Sequence, residues 1–542
     1  MLATLIRQSR ALLMLAVCVS LLGGASNVTL IALVNSALAA EGAARVALAL
    51  PFAAAVACAI GAHVAAGMLF QRLSQQAQAN LRIGLSRKVL GASYRQFETV
   101  GTARVQSALT DHSATLANLF VALPGLVSNT VVVLGCLAYL SVLSWPVFLG
   151  ALAAIVLGAL GYHLGHMRAL GHLERAAGEQ DRLFEHFGAM AGGAKELKLS
   201  RGKSRAFAGR LLEPTIERLR RARTRGMSIF VAAASWGNLL IYALIGVLLF
   251  LVFAEPGHPQ RITTGFVLVI LFMVTPLEVL LKNLPLVNLA RVSARRIDDL
   301  MASLPQEPVA AQDRVLPMPR TLTLEGVTHR YYHEQSDDMF TLGPIDLTLR
   351  PGEITYLVGG NGSGKTTLAK LLVGLYEPES GRILLDGVPV PPDARADYRQ
   401  LFATVFSDFY LFESLLGADS AEHDARGNAL LGRLHLQHKV RMRDGAFSTR
   451  ALSQGQRKRL ALVEAYLDER PFLVFDEWAA DQDPAFKEVF YREVLPELRR
   501  LGKGVLVITH DDRYFPLADR MLRMESGQLH EETMPRREYS AA

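Results

Sequence analysis

Cysteine is nearly absent. The 542 residues hold three, Cys18, Cys58 and Cys136. They match neither a metal-ligand spacing nor a disulfide framework, so buried, inert thiols are expected. An internal repeat is also missing, and the long apolar runs lack the alternation of a membrane barrel. In their place stands an excess of apolar residues, 51% of the chain. That is too many for an ordinary soluble enzyme, and the length suggests about three domains.

The apolar residues are unevenly spread. Six runs approach or exceed the roughly 20 residues that a helix needs to cross a bilayer: about Ala11–Leu38, Val46–Leu69, Leu119–Leu143, Val147–Gly165, Ile229–Phe253 and Thr264–Leu284. Ser144, Trp145 and Pro146 alone part the third from the fourth. Loop charge sets the orientation. Arg72, Arg82, Arg87, Lys88, Arg95 and Arg104 follow span two, and the stretch after span four ends in "RLRRARTR". The other loops hold only Arg45 and Arg261 as basic residues. The long basic stretches and both chain ends are therefore expected on the cytosolic side of the membrane. The same bias explains the net charge of +7 without a nucleic-acid partner. The start imitates a signal peptide, with "ALA" at 37–39, but its apolar run is too long for one. Val17 before Cys18 also argues against a lipoprotein, so the run is read as a span.

The expected architecture is an all-α six-helix transmembrane domain followed by an α/β domain, in which "GGNGSGKT" (359–366) spells the phosphate loop of a P-loop NTPase. The boundaries read as 1–300 for the spans with their cytosolic extensions, 301–320 for a Pro-rich linker, 321–531 for the α/β domain and 532–542 for a polar tail. The inner stretches are helically patterned and too long for loose loops. Each should bend near its middle, at 97–111 and 185–200, where glycines permit a reversal. His163, His166 and His172 read as helix-end histidines at an interface, not as a metal site.

"YLVGGNGSGKTTLAKLL" (356–372) carries the strongest chemistry. Gly359, Gly364, Lys365 and Thr366 match G-x-x-x-x-G-K-[ST] after an apolar strand and before a helix. Backbone N–H groups from Gly359, Gly360, Asn361, Gly362, Ser363 and Gly364 would cradle phosphates, with Thr367 in the same turn. Lys365 would reach the β/γ-phosphates and Thr366 would ligate Mg²⁺. "FDEWAADQDP" (475–484) supplies the carboxylates. Its strand is expected beside the P-loop strand, with Asp476 orienting the Mg²⁺ shell and Glu477 polarising the attacking water. His510, at the end of another strand, is a candidate γ-phosphate contact. "LSQGQRKRLAL" (452–462) opens a second phosphate-seeking helix. One ATP cannot easily use both helix N-termini of one subunit, so two chains would sandwich two ATPs.

These residues resemble the ATP-binding-cassette (ABC) transporter family across essentially the whole chain. The resemblance implies that Ser453, Gln454, Gly455 and Gln456 cap the partner's ATP as the signature. It makes Asp476 the Walker B aspartate, Glu477 the catalytic base, His510 the switch histidine and Asp483 the D-loop aspartate. It also implies that Tyr331 stacks on adenine. Three departures stand out. Gln454 replaces a usual glycine, "DEWAADQDP" replaces "DEPTSALD", and Ser407 stands where most cassettes place a Mg²⁺-contacting glutamine. Either Ser407 or the adjacent Asp408 would have to supply that oxygen. "VFSDF", "DEWAADQDP", "KELKL" and "THDD" together look like the bacterial cyclic-peptide exporter subfamily, whose members include exporters of pyoverdine-type siderophores, syringomycin-type lipopeptides and microcin. The implied function is ATP-driven export of a cyclic or nonribosomal-type peptide by a homodimer, with a peptide siderophore as one candidate.

Within span six, Glu278 and Lys282 are four apart and can pair on one helix face. A substrate contact and a structural pair both fit, and Asn238 in span five is a further cavity candidate. The bends at about 102–113 and 184–192 are expected to seat in cassette grooves beside Ser407–Phe412. Two other classes share the architecture: a flippase for lipids or lipid-linked precursors, and an ATP-gated channel or receptor.

Overall fold

The structure is a computed structural model that describes residues 10–252, 260–307, 316–333, 338–416 and 420–532. The polar tail from 533 on and the middle of the linker, 308–315, lie outside the described residues. The chain divides into two compact units. One takes Met1–Arg87 and Ala103–Ala302, the other Lys88–Thr102 and Ser303–Ala542.

The described residues of the first unit form helices and short turns, with no strand among them. Its principal helices are α1 (Arg10–Ala39) and α2 (Ala49–Leu90). Beyond the short helix α3 (Tyr94–Val100), which belongs to the other unit, come α4 (Ser113–Leu143), α5 (Trp145–Gly192), α6 (Glu213–Val247) and α7 (Gln260–Ser303). Six helices among the described residues are long and apolar enough to cross a membrane. In the most apolar stretch of the second, only 6% of residues are buried within the chain. Its apolar character therefore suits lipid or another chain better than an internal core. With 42 residues, α2 is about 60 Å long, twice the hydrocarbon thickness.

Small residues bring α5 and α6 together. A Cβ added at Gly161 would lie 2.3 Å from the Trp236 ring, and one at Gly165 would lie 2.4 Å from Ala233 Cβ. Cys136 is buried and Cys58 half-buried, but Cys18 is exposed on α1, so the expectation of three buried thiols fails there. Its apolar neighbours face outward, where lipid takes the place of a protein core. Among the described residues no cluster of His, Cys, Asp or Glu could hold a metal. His166 instead stacks on Tyr162, ring centroids 6.0 Å apart.

Both inner stretches bend: the first overlaps 97–111 but begins earlier, and the second falls within 185–200. The first is a short excursion, Gly91 to Gly101, built around α3. Residues 103–113 return to the first unit, partly as a π-turn at Ala108–His112. The second comes later than 184–192, because α5 runs unbroken to Gly192 and yields only at Gly193. A short helix, Ala194–Leu199, follows.

In the second unit, β1 (Leu322–His333), β2 (Asp338–Leu349), β4 (Ser380–Leu385) and β5 (Val388–Pro389) form an antiparallel sheet. The main sheet runs β12-β11-β3-β10-β9-β6. Its strands are β3 (Ile354–Gly359), β6 (Phe402–Val405), β9 (Phe472–Asp476), β10 (Gly504–Ile508), β11 (Arg520–Glu525) and β12 (Gln528–Glu532), while β7 (Met442–Arg443) and β8 (Ala446–Phe447) pair in a separate hairpin. All pairings are parallel except that of β12 with β11. Consequently β9 does not lie beside β3, as expected from sequence. The intervening strand is β10, which pairs with both. The gap of two strand spacings is about 10 Å. It is closed by α8 (Lys365–Leu372), whose first turn reaches across the strand ends.

Candidate functional site

The loop from β3 to α8 requires its glycines. Gly359, Gly362 and Gly364 have φ of 151°, 76° and 105°, conformations that side-chain-bearing residues rarely adopt. A Cβ at Gly359 would also lie 2.3 Å from the carbonyl oxygen of Met524. Gly360, Asn361 and Gly362 form the exposed lip, while Ser363 and Lys365 are buried. The Lys365 ammonium donates to the carbonyl oxygens of Gly359 and Gly360, each at 2.9 Å. Burial lowers its pKa, opposed by the charges of Glu477 and Asp476. Thr367 follows on the same half-buried turn as Thr366.

At the end of β9, Asp476 is 1% exposed. Its Oδ2 accepts from Thr366 Oγ1 at 2.9 Å. Burial raises its pKa, and the Glu477 charge adds to this. The Thr366 hydrogen bond, the Ser407 backbone amide and Lys365 act the other way. Among the described residues, Asp476 Oδ1 and Ser363 Oγ are buried without a hydrogen-bond partner. Each such atom costs about 1–3 kcal/mol. A bound phosphate with a hard divalent cation would satisfy both, so the residues present fit Mg²⁺-ATP. Ser407 and Asp408 are exposed. The part of Ser407 that acts on Asp476 is its amide, not its hydroxyl.

Glu477 turns out of the sheet with φ 51° and ψ 34°. Its N–H donates to Ile508 O at 3.1 Å. Its Oε1 lies 3.3 Å from His510 Nε2. The His510 loop is braced on both sides: Tyr491 shares a 2.6 Å hydrogen bond with Thr509, and Lys487 pairs with Asp511 at 2.6 Å. Lys365, Thr366, Asp476, Glu477 and His510 are thus gathered at the carboxyl ends of three neighbouring parallel strands. That is where ligands sit in open α/β sheets.

The other predicted site residues fall elsewhere. Beyond α9 (Ala421–Arg433), Ser453 caps α10 (Gln454–Leu467) in a capping box with Gln456. Among the described residues, Ser453, Gln454, Gly455 and Gln456 make no hydrogen bond to the P-loop. They are tied instead to the segment after Glu477. Gln454 donates to Asp481 at 3.4 Å, and the Gly455 carbonyl accepts from Gln482 at 2.9 Å. A Cβ at Gly455 would lie 2.8 Å from the Asp481 carbonyl, so a glycine is required there. Asp483 caps α11 (Pro484–Val489) and accepts from Arg459 at 3.3 Å. Tyr331 stands opposite Phe340 in the β1–β2 register, and its side chain lies outside the described ones. In the first unit, Glu278 accepts from Asn238 at 2.5 Å and from Lys282 at 2.8 Å, which joins the three predicted cavity residues into one cluster.

Two groups escaped sequence reasoning. One is the seat of α3. Glu98 accepts from Lys370 Nζ at 3.1 Å and from Tyr376 OH at 2.5 Å. Arg95 donates to the Arg330 carbonyl at 3.3 Å. Lys370 also lies 5.2 Å from the rings of Tyr94 and Tyr376. Burial alone would lower its pKa, but Tyr376 and Glu98 outweigh that and raise it. Because Lys370 is on α8, the short helix is held by the same helix that begins with Lys365. Within the second unit, this seat is where α3 docks. Only the glycine before α3 and the one after it hinted at such a helix. The other group is Lys458 with Trp478 and Gln482, discussed below.

Residues 342–480 match the family described as ABC transporter. The chain is 39% identical to the ATP-binding protein SyrD of Pseudomonas syringae pv. syringae, covering 84% of this chain and 82% of that protein. It is 29% identical to an ATP-dependent lipid A-core flippase of Burkholderia thailandensis, covering 86% and 80%. Among solved structures, a bacterial Atm1-family ABC exporter with ATP bound shares the fold with a TM-score of 0.77, at 17% identity, over 96% of this chain and 95% of that one.

Proposed function

This chain belongs to the ABC transporter family as a half-size exporter with a transport ATPase, and from that premise we propose that it exports a cyclic or nonribosomal-type peptide across the bacterial inner membrane. A peptide siderophore is the first candidate, and the working unit is a homodimer with both chain ends in the cytosol. The observation that carries the ATPase half is the gathering of Thr366–Asp476 and Glu477–His510 at one edge of the sheet. The peptide half is supported by the segments "VFSDF", "DEWAADQDP", "KELKL" and "THDD".

In this reading the P-loop amides and Lys365 hold the β- and γ-phosphates. Thr366 and Asp476 would hold Mg²⁺, which supplies charge neutralisation on the phosphates when bound. Glu477 takes the proton of the attacking water. His510, already 3.3 Å from Glu477, orients that carboxylate and contacts the γ-phosphate. Tyr331 stacks on adenine, and Asp483 borders the shared interface. Ser453, Gln454, Gly455 and Gln456 cap the ATP of the partner subunit. Their separation from the P-loop of their own chain supports sharing. The Asn238–Glu278–Lys282 cluster is proposed as a polar contact for substrate in the membrane unit.

The 29% identity to lipid A-core flippases favours a second reading, movement of a lipid or lipid-linked precursor. Metabolite profiling of a deletion strain separates the two. A peptide product that builds up inside the cell supports the first reading. Lipid A-core trapped in the inner leaflet, with peptide levels unchanged, supports the second.

A further inference from the structure

The segment after Glu477 is laced to α10 by contacts that no nucleotide contact requires. Lys458 is buried, its side chain 3% exposed. Its ammonium donates to the Glu477 carbonyl oxygen at 2.9 Å and pairs with Asp481 Oδ2 at 2.8 Å. Trp478, 1% exposed, donates its indole N–H to the Lys458 carbonyl at 2.8 Å. The Trp478 ring stacks on Phe490 with centroids 4.3 Å apart. Gln482 bridges Arg459 and the Gly455 carbonyl, each at 2.9 Å.

These contacts bear on a strained residue. Glu477 occupies the left-handed region at φ 51°, which costs an L-residue about 1–2 kcal/mol. Such a residue persists only where its surroundings hold it. The N–H of Glu477 is held by Ile508 on β10, and its C=O is held by Lys458 on α10. A buried ammonium is costly unless paired, and Asp481 supplies the pair.

We propose that Lys458 is a positioning residue for Glu477. Its ammonium holds the left-handed peptide, and so ties the direction of the Glu477 carboxylate to the placement of the signature helix. Trp478 and Asp481 fix Lys458 in turn. This gives the "WAADQ" segment a role in turnover apart from substrate choice. The inference rests on the reading of Glu477 as the base.

The test uses the full-length protein in lipid nanodiscs. Lys458→Met should lower kcat for ATP about 10- to 100-fold, as small misplacements of reacting groups do, with KM for ATP changed by no more than about two-fold. Lys458→Gln keeps a donor for the Glu477 carbonyl and should recover about five-fold over Lys458→Met. Trp478→Phe removes the N–H but keeps the stack on Phe490, and should lower kcat about two- to five-fold. If Lys458→Met does not fold, the Gln and Phe variants carry the test on kcat alone. An unchanged kcat overturns the proposal, and so does a joint loss of kcat and ATP affinity without recovery in Lys458→Gln. Glu477→Gln assayed alongside separates the two possible failures. Hydrolysis that survives in Glu477→Gln overturns the base assignment. Hydrolysis lost in Glu477→Gln but kept in Lys458→Met overturns only the positioning role.

Discussion

The hydroxyl of Thr366 donates to Asp476 Oδ2 at 2.9 Å, joining the first turn of the P-loop helix to the end of a strand 110 residues later. The second oxygen of the same carboxylate is buried and has no hydrogen-bond partner among the described residues. A hydroxyl and a carboxylate held this close form half of a hard-cation site, with phosphate oxygens and water to complete it.

Asp476→Asn should therefore abolish the metal dependence of nucleotide binding. In the native protein, affinity for a non-hydrolysable ATP analogue is expected to rise on adding Mg²⁺. In the variant it should stay flat, with ATPase activity lost. Titration of the analogue with and without the metal checks this, and a Mg²⁺ response equal to the native one would contradict it.

Glu477→Gln should keep ATP binding and lose turnover by about 10²-fold or more, the usual worth of a positioned base. Steady-state hydrolysis and analogue binding, measured on one preparation, decide the point. Lys365→Ala should instead lose both, because its ammonium already sits at the loop carbonyls where phosphate oxygens would draw it.

The seat of α3 predicts a separation of hydrolysis from transport. Glu98→Ala removes the carboxylate shared by Lys370 and Tyr376 and touches no residue assigned to phosphate. Basal ATPase activity should stay within about two-fold, while export falls about ten-fold or more. Vesicle transport and ATPase assays together test it, and a parallel loss of both would place Glu98 in the fold of the cassette.

Stability should fall with rising pH because of Glu464 on α10. Burial, with the nearby charge of Asp468 adding to it, raises its pKa from 4.5 to about 7. The folded state therefore binds more protons than the unfolded state between those values, and stability declines across that window. Glu464→Gln removes the titration. It should stabilise the protein by about 1–3 kcal/mol at pH 8 and by almost nothing at pH 4. Thermal melts of both forms at the two pH values measure the difference.

Much of this protein was legible in one dimension because its signals are local. A membrane span is a length of uncharged residues, and the six helices among the described residues that are long and apolar enough to be spans could be read from that alone. The P-loop is a run of eight residues whose glycines need unusual backbone angles, so its geometry is written in its spelling. Asp476, Glu477 and His510 each follow an apolar strand, which puts them at strand ends before any sheet is known.

Strand order was not legible, since β10 enters between β3 and β9 through pairings distant in sequence. The docking of α3 also escaped, because Glu98 and Lys370 are 272 residues apart and neither has a motif. Lys458 is the clearest case. In sequence it is one more basic residue on a signature helix. Only the tertiary structure buries its ammonium between the Glu477 carbonyl and the Asp481 carboxylate. Sequence by itself determined the six apolar runs, the cassette and the placing of Asp476, Glu477 and His510 at strand ends, because each is set by neighbours along the chain. The tertiary structure decided what holds those groups in place, because a buried charge is given its partners by packing.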